Sequence, residues 1–243
     1  AASIAVIGAI DGPTSIYVSS LLAPELLPAI AVTAYSYMSL VPIIQPPLMR
    51  LFTTRAERRI RMEYAPRPVP RGAVIAFPIV VTVVVGMLVP ASAPLIATLM
   101  FGSLLKESGV VPQLANTASN ELANLSTIFL GLTVGSLMQA DTFLQTQTLY
   151  ILGLGLFAFV LDTVAGLLFG KVLAIVTRGK VNPLVGAAGI SAFPMSGRLV
   201  QRVAQEEDFT NHVLMHAMGA NTAGQLGSVI AGGVLLTLVT MLG

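Results

Sequence analysis

Cysteine and tryptophan are absent from this 243-residue chain, histidine occurs twice, and only 10% of the residues are charged. Each shortage excludes something. Without cysteine there is no disulfide, no thiolate metal site and no thiol nucleophile. His212 and His216 stand four apart with no third ligand in view, which fits a structural role rather than zinc. No G-x-x-x-x-G-K-[ST] stretch occurs, so there is no P-loop, and no Ser/His/Asp triad can be assembled. The period-two alternation of a membrane barrel is missing as well. A net charge of +2 does not point to nucleic acid. A soluble domain carries about a quarter charged residues. This chain has too few to clothe its 55% hydrophobic content in water.

What is present is a series of long apolar runs. The fold class they imply is an all-α polytopic membrane protein, with residues 1–243 forming a single transmembrane domain. The opening AASIAVIGAI has no basic n-region, so it is not a signal peptide. It reads as a chain that starts inside a hydrophobic element, that is, as a fragment. The first run covers 1–23 and breaks at Asp11-Gly12-Pro13, and the second covers Glu25–Met49, with interruptions expected at Pro42 and Pro46-Pro47. Ala73–Val89 is a clean span. Ala93–Leu105 is short for a crossing, which takes roughly 20 residues, and reads as tilted or re-entrant. Residues 110–120 look amphipathic or looped. Leu122–Met138, Thr148–Gly170 and Val213–Leu242 are the remaining spans.

The cations are clustered. Seven of the 13 Lys and Arg fall in residues 50–71, from Arg50 to Arg71, and Lys171, Arg178 and Lys180 form a second group. The positive-inside rule makes 50–72 a basic cytoplasmic loop and puts 171–180 on the same side. Four crossings between the groups give the even count this requires.

Two stretches look like counterparts, GAIDGPTS at 8–15 and GAAGISAFPMS at 186–196. Both are Gly-Ala segments with a polar side chain and a following Pro. Interrupted segments in corresponding halves point to an inverted-repeat, transporter-like bundle with its site near the midplane. Asp11 is costly in hydrocarbon, at roughly 2.5–3.5 kcal/mol on insertion scales. It reads either as a ligand for a hard cation such as Na+, joined by carbonyls freed at the break and by the Thr14 hydroxyl, or as a helix cap near the interface. Arg198 reads as an anion-holding or snorkelling residue, Asn182 as a cap, Ser191 as a packing residue and Tyr37 as an interfacial or core aromatic. Asn221 faces protein, as a helix contact or a ligand. Asp162 is a second embedded acid, either an ion site or half of a structural pair.

Several motifs converge: DGPT (11–14), AYSYMSLVPIIQPPLMR (34–50), FGSLLKESGVV (101–111), TIFLGLTVG (127–135), NPLVGAAGISAFPM (182–195) and HAMGANTAG (216–224). Together they resemble the β subunit of the sodium-ion-translocating biotin-dependent decarboxylases, which serve oxaloacetate, glutaconyl-CoA, methylmalonyl-CoA and malonate systems. The resemblance covers nearly the whole chain and implies an N-terminally incomplete member. It implies that Asp11 is the acid essential for Na+ pumping, that Tyr37 is linked to proton movement, and that Asn182, Gly186, Ser191 and Arg198 are the functional residues of the second motif. Asn221 is implied as a further ion-facing position in a second interrupted helix. Ile10 stands where the family has a small residue, PMSGR replaces PMAAR, and Ala220 replaces a Pro.

The function so implied couples carboxybiotin decarboxylation to Na+ export, with one proton consumed. Arg198 meets carboxybiotin, Tyr37 and Ser191 relay the proton, and Asp11, Asn182, Gly186 and Asn221 hold Na+. The implied partners are a biotin-carrying carboxyltransferase α subunit, a small membrane γ subunit, the lipid bilayer and further copies of the chain, a trimer being one form. The implied location is the bacterial or archaeal cytoplasmic (inner) membrane. The bare residues alone fit a plain Na+-coupled secondary transporter or a membrane scaffold as well.

Overall fold

The computed structural model describes residues 2–63, 68–138 and 145–242. The part of the basic loop at 64–67, including Arg67, lies outside the described residues. All regular structure among the described residues is helical. Among the described residues, four helical stretches are long and apolar enough to cross a membrane: Pro24–Phe52, Arg71–Leu88, Thr146–Val176 and Leu214–Leu242. Their outward faces carry bare apolar side chains such as Phe77, Met87, Phe157, Phe169 and Val172, as expected where the solvent is lipid. The chain is an all-α polytopic membrane protein.

It divides into two compact units, residues 1–65 with 146–228, and residues 66–145 with 229–243. The first unit contains α1 (Ala2–Gly8), α2 (Gly12–Leu22), α3 (Leu27–Phe52) and the short α4 (Arg55–Arg58). It continues with α9 (Thr146–Val176), a 3-10 segment (Pro183–Gly189), α10 (Met195–Glu207) and α11 (Leu214–Leu242) as far as Ser228. The second unit contains α5 (Arg71–Leu88), α6 (Ala93–Ser108), α7 (Pro112–Thr117), a π turn (Ala118–Leu122) and α8 (Ala123–Leu137), with the rest of α11. The short span expected at 93–105 is α6, which runs to Ser108 and stops at Gly109 in the left-handed conformation, φ +65°. The stretch at 110–120 is helical rather than looped, because α7 leads through the π turn straight into α8.

α9 organises the first unit. Its buried residues are Thr148, Ile151, Gly155, Phe159, Thr163, Leu167, Gly170 and Ala174. The spacings of three and four draw one stripe along the helix. Phe159 and Leu167 supply volume, while small residues between them let other backbone approach. Gly166 receives the carbonyl of Gly186, and Gly170 that of Pro183, so closely that a Cβ on either would overlap it. The 3-10 segment therefore lies on α9 main chain to main chain.

Two sequence expectations need correction. α3 is continuous through Pro42, Pro46 and Pro47. Proline removes a donor and crowds a carbonyl, but Gln45, Pro46 and Met49 are buried against the rest of the unit, and packing holds the helix where propensity would break it. α11, which carries Asn221, is also uninterrupted. The second break lies earlier, between the end of α9 and the start of α10.

The two basic clusters meet within the first unit. Lys171 Nζ lies 3.4 Å from Glu57 Oε1, and Asn182 Nδ2 donates to the carbonyls of Arg58 (3.0 Å) and Ile60 (2.8 Å). Asn211 Nδ2 donates to the same two carbonyls. Arg58 is buried. It pairs with Glu207 at 2.5 Å and donates to the Thr53 carbonyl at 2.5 Å. Arg50 pairs with Glu206, and Arg61 with Asp208. The α3–α4 corner is thus pinned to the end of α10. Arg58→Met is expected to lower stability by about 1–3 kcal/mol, since it strands the Thr53 carbonyl without a donor; denaturant or thermal unfolding in detergent reads it, and an unchanged midpoint would refute it.

The same corner is acid-sensitive. The Arg58 hydrogen bond holds the Glu207 carboxyl below its usual range. Thr210 and then Arg61 bring Asp208 down to about 2. A carboxylate with a depressed native pKa stabilises above its unfolded value, about 3.9. Stability should therefore fall as pH drops from about 4 toward 2, and Asp208→Asn should flatten that limb in a pH series of melting temperatures.

Candidate functional site

The first break is a short unwound stretch between α1 and α2. Ile10 sits there at φ +55°, a conformation that a β-branched side chain adopts only under constraint. Asp11 follows as the N-cap of α2, with Gly12-Pro13 opening the helix, where proline needs no donor. The cap reading of Asp11 is thus realised, and the residue is also only 6% exposed. Its Oδ1 accepts from the Thr14 N–H at 3.0 Å, its Oδ2 from the Thr14 hydroxyl at 2.8 Å, and the Ser228 hydroxyl of α11 also donates to Oδ2. The N-terminal end of α2 favours the negative charge. Tyr35 covers this end, with its ring against Gly12, where a Cβ would lie 2.8 Å from the ring carbon bearing the hydroxyl.

The second break meets the first. The Ser191 N–H donates to the Ala9 carbonyl at 2.8 Å. The carbonyl of the same peptide unit, on Ile190, accepts from Asn221 Nδ2 at 2.6 Å. Asn221 is fully buried, and its Oδ1 has no hydrogen-bond partner among the described residues. A buried amide oxygen left unpaired is costly and marks a position fit for a ligand with positive charge. Below this point Gln45 donates to the Ala187 carbonyl at 2.9 Å and accepts from Ser196, which also reaches Ala187. These bonds tie the segment to α3.

Of the residues singled out in the sequence, Asp11 lies at the first break, and the backbone of Ser191 and the side chain of Asn221 at the second, which meets the first at Ala9. Along α11, Asn221 is two turns, about 10 Å, from Ser228, the residue that reaches Asp11. The others lie elsewhere. Tyr37 is buried between α3 and α9, and its hydroxyl donates to the Leu152 carbonyl. Asn182 caps the 3-10 segment and grips the 58–60 backbone, so both ends of its amide are engaged with main chain. Gly186 is the close contact with α9. Arg198 and Asp162 are exposed, on α10 and α9 respectively, and neither belongs to an ion pair among the described residues.

Two members of the site carried no role in the sequence reading, Ser228 and Tyr35. Ser228 lies seven residues after Asn221 and so on the same face of α11. A hydroxyl at that register in an apolar run is the signal that could have found it. Tyr35 and Tyr37 are two apart on a helix and point to different sides, toward α2 and α9 respectively.

The two breaks present hard oxygens: at the first a carboxylate with an uncommitted lone pair on Oδ1 and the hydroxyls of Thr14 and Ser228, at the second the unpaired amide oxygen of Asn221. No imidazole or sulfur is among these groups. Such oxygens suit a hard cation. Among the described residues no group of three His, Cys, Asp or Glu gathers to hold a transition metal.

Comparison with known proteins accords with this chemistry. A family described as the Na+-transporting oxaloacetate decarboxylase beta subunit matches residues 1–239. A probable oxaloacetate decarboxylase beta chain of Pasteurella multocida is 54% identical over 242 residues, all of this chain and 56% of the relative. The oxaloacetate decarboxylase beta chain 2 of Salmonella typhimurium is 53% identical, over 98% of this chain and 55% of its own length. The methylmalonyl-CoA decarboxylase subunit beta of Veillonella parvula is 51% identical, over 99% and 64% respectively. The chain thus spans a little over half the length of most of these curated relatives. With a family match over residues 1–239 and identities above one half, the chain belongs to the Na+-transporting decarboxylase beta-subunit family.

Proposed function

We propose that the chain acts in a membrane complex that couples decarboxylation of carboxybiotin to Na+ export, and that Asp11 holds the transported ion. The observation carrying this reading is a buried carboxylate at the crossing of two backbone breaks, beside the helix whose Asn221 keeps a bare amide oxygen. Na+ binds the carboxylate and a backbone carbonyl of the first break, and Asn221, two turns along α11, offers a second ion-facing position at the second break. Asn182 and Gly186 act by holding the second break in place, Asn182 through the 58–60 backbone and Gly186 through α9.

Loss of CO2 from carboxybiotin takes up one proton. Arg198, exposed near the start of α10, meets the incoming carboxylate from water. Ser191 adjoins the crossing, and Tyr37 lies on α3 with its hydroxyl against α9; they serve the proton path. Asp162 is left as an exposed acid on α9, a second ion contact or a contact with a neighbouring helix. The contact between the clusters at 50–61 and 171–180 supports one shared side for both, the cytoplasmic face of a bacterial or archaeal inner membrane, where the biotin-carrying α subunit docks. A γ subunit and further copies of the chain complete the complex.

The test is Na+-stimulated decarboxylation by the assembled complex in liposomes. Asp11→Asn abolishes the Na+ stimulation and leaves carboxyl transfer to biotin on the partner intact, and avidin abolishes transport by the wild type. Normal Na+-dependent turnover in Asp11→Asn would overturn the assignment, and avidin-insensitive transport would make the chain a plain secondary transporter.

A further inference from the structure

One face of α11 touches both breaks. Ala217, Asn221, Gly224 and Ser228 follow at intervals of four, three and four, a single stripe on a helix. Asn221 donates to the Ile190 carbonyl. Gly224 packs so closely on the carbonyls of Gly189 and Ile190 that a Cβ there would collide with them. Ser228 donates to Asp11 Oδ2.

The Ser228 hydroxyl has a single hydrogen and two acceptors in reach, Asp11 Oδ2 and, at 3.0 Å, the Gln225 carbonyl on its own helix. An ionised carboxylate is the stronger acceptor. A cation on the carboxylate changes that balance. The hydrogen can turn back to Gln225, and a lone pair of Oγ then faces the ion. A hydroxyl can serve first as donor and then as ligand, which a carbonyl or a carboxylate cannot do. The residue is 7% exposed, so water offers no easy substitute.

We propose that Ser228 is a further residue of the cation site: it donates to Asp11 when no cation is held, ligates the cation when one is, and so links occupancy of the site to α11. This rests on the reading of Asp11 as the ion-binding carboxylate, and the experiment separates the two.

Purified protein in detergent is titrated with Na+ against K+ at constant ionic strength. The melting temperature gives the half-saturating Na+ concentration, and hydrogen exchange follows the amides of 221–228. The variants are Ser228→Ala, Ser228→Cys, which keeps the volume with a poor Na+ ligand, and Ser228→Thr, which keeps the hydroxyl. The expected result is a rise of about 10–100-fold in half-saturation for Ala and Cys, the range seen when residues supporting metal ligands are removed. Thr stays near wild type, and Na+ protects the 221–228 amides in wild type and Thr only. Wild-type half-saturation in both Ala and Cys, with only a lower baseline melting temperature, would reduce Ser228 to a packing residue and overturn the inference while Asp11 stands. Absence of any Na+ response in the wild type would overturn both.

Discussion

Asp11→Asn is expected to remove the Na+-specific stabilisation of the protein while leaving it folded. The two halves of that expectation have separate causes. Asparagine is as good an N-cap as aspartate, so its side-chain oxygen can still accept from the Thr14 N–H, and the start of α2 survives. What goes is the formal charge and one oxygen acceptor, so that the Thr14 and Ser228 hydroxyls lose their carboxylate oxygen. A ligand that binds only the native state stabilises by mass action, about 2.7 kcal/mol at a hundred times the dissociation constant. Thermal unfolding with Na+ against K+ at equal ionic strength should show this increment in the wild type and none in the variant. A variant that keeps a Na+-specific rise would show that the carboxylate does not hold the ion.

The second large effect is expected at a residue with no functional side chain. Gly186→Ala should fail to fold stably, because the added methyl would overlap the Gly166 carbonyl. Main chain cannot step aside as a flexible side chain can, so the cost lies at or above the upper end of the about 1–3 kcal/mol of ordinary overpacking. Gly166→Ala meets Gly186 from the other side and should fail in the same way. The paired result is diagnostic. Loss of stability in both variants, read by melting temperature and by monodispersity in detergent, marks a packing contact. A stable Gly186→Ala with altered Na+ affinity would instead mark an ion-binding backbone position.

Much of this arrangement was legible in the residues, and the failures have physical causes. Asp11-Gly12-Pro13 announces its break because an acid, a flexible residue and a rigid one in succession have few other uses in an apolar run. The span read at Ala73–Val89, rich in Val and Ile, is equally plain, and the helix is found at Arg71–Leu88. The prolines of α3 misled because their local cost is visible in sequence, whereas the burial of Gln45, Pro46 and Met49 that holds the helix is not. Asn221 was legible as a protein-facing polar residue. That its helix is continuous, with the break ahead of it at 183–194, depends on the fit of the 3-10 segment against Gly166 and Gly170, residues that read only as small. Ser228 lies 217 positions from Asp11, and no local pattern joins residues so distant.

The peptide unit between Ile190 and Ser191 is held at both ends, its carbonyl by Asn221 and its N–H by the Ala9 carbonyl. A peptide group is planar and turns as one piece. To tilt it away from Asn221 is also to pull it from Ala9. The two breaks and α11 are therefore joined through one peptide group, and a push on either break is passed to the other and to the helix.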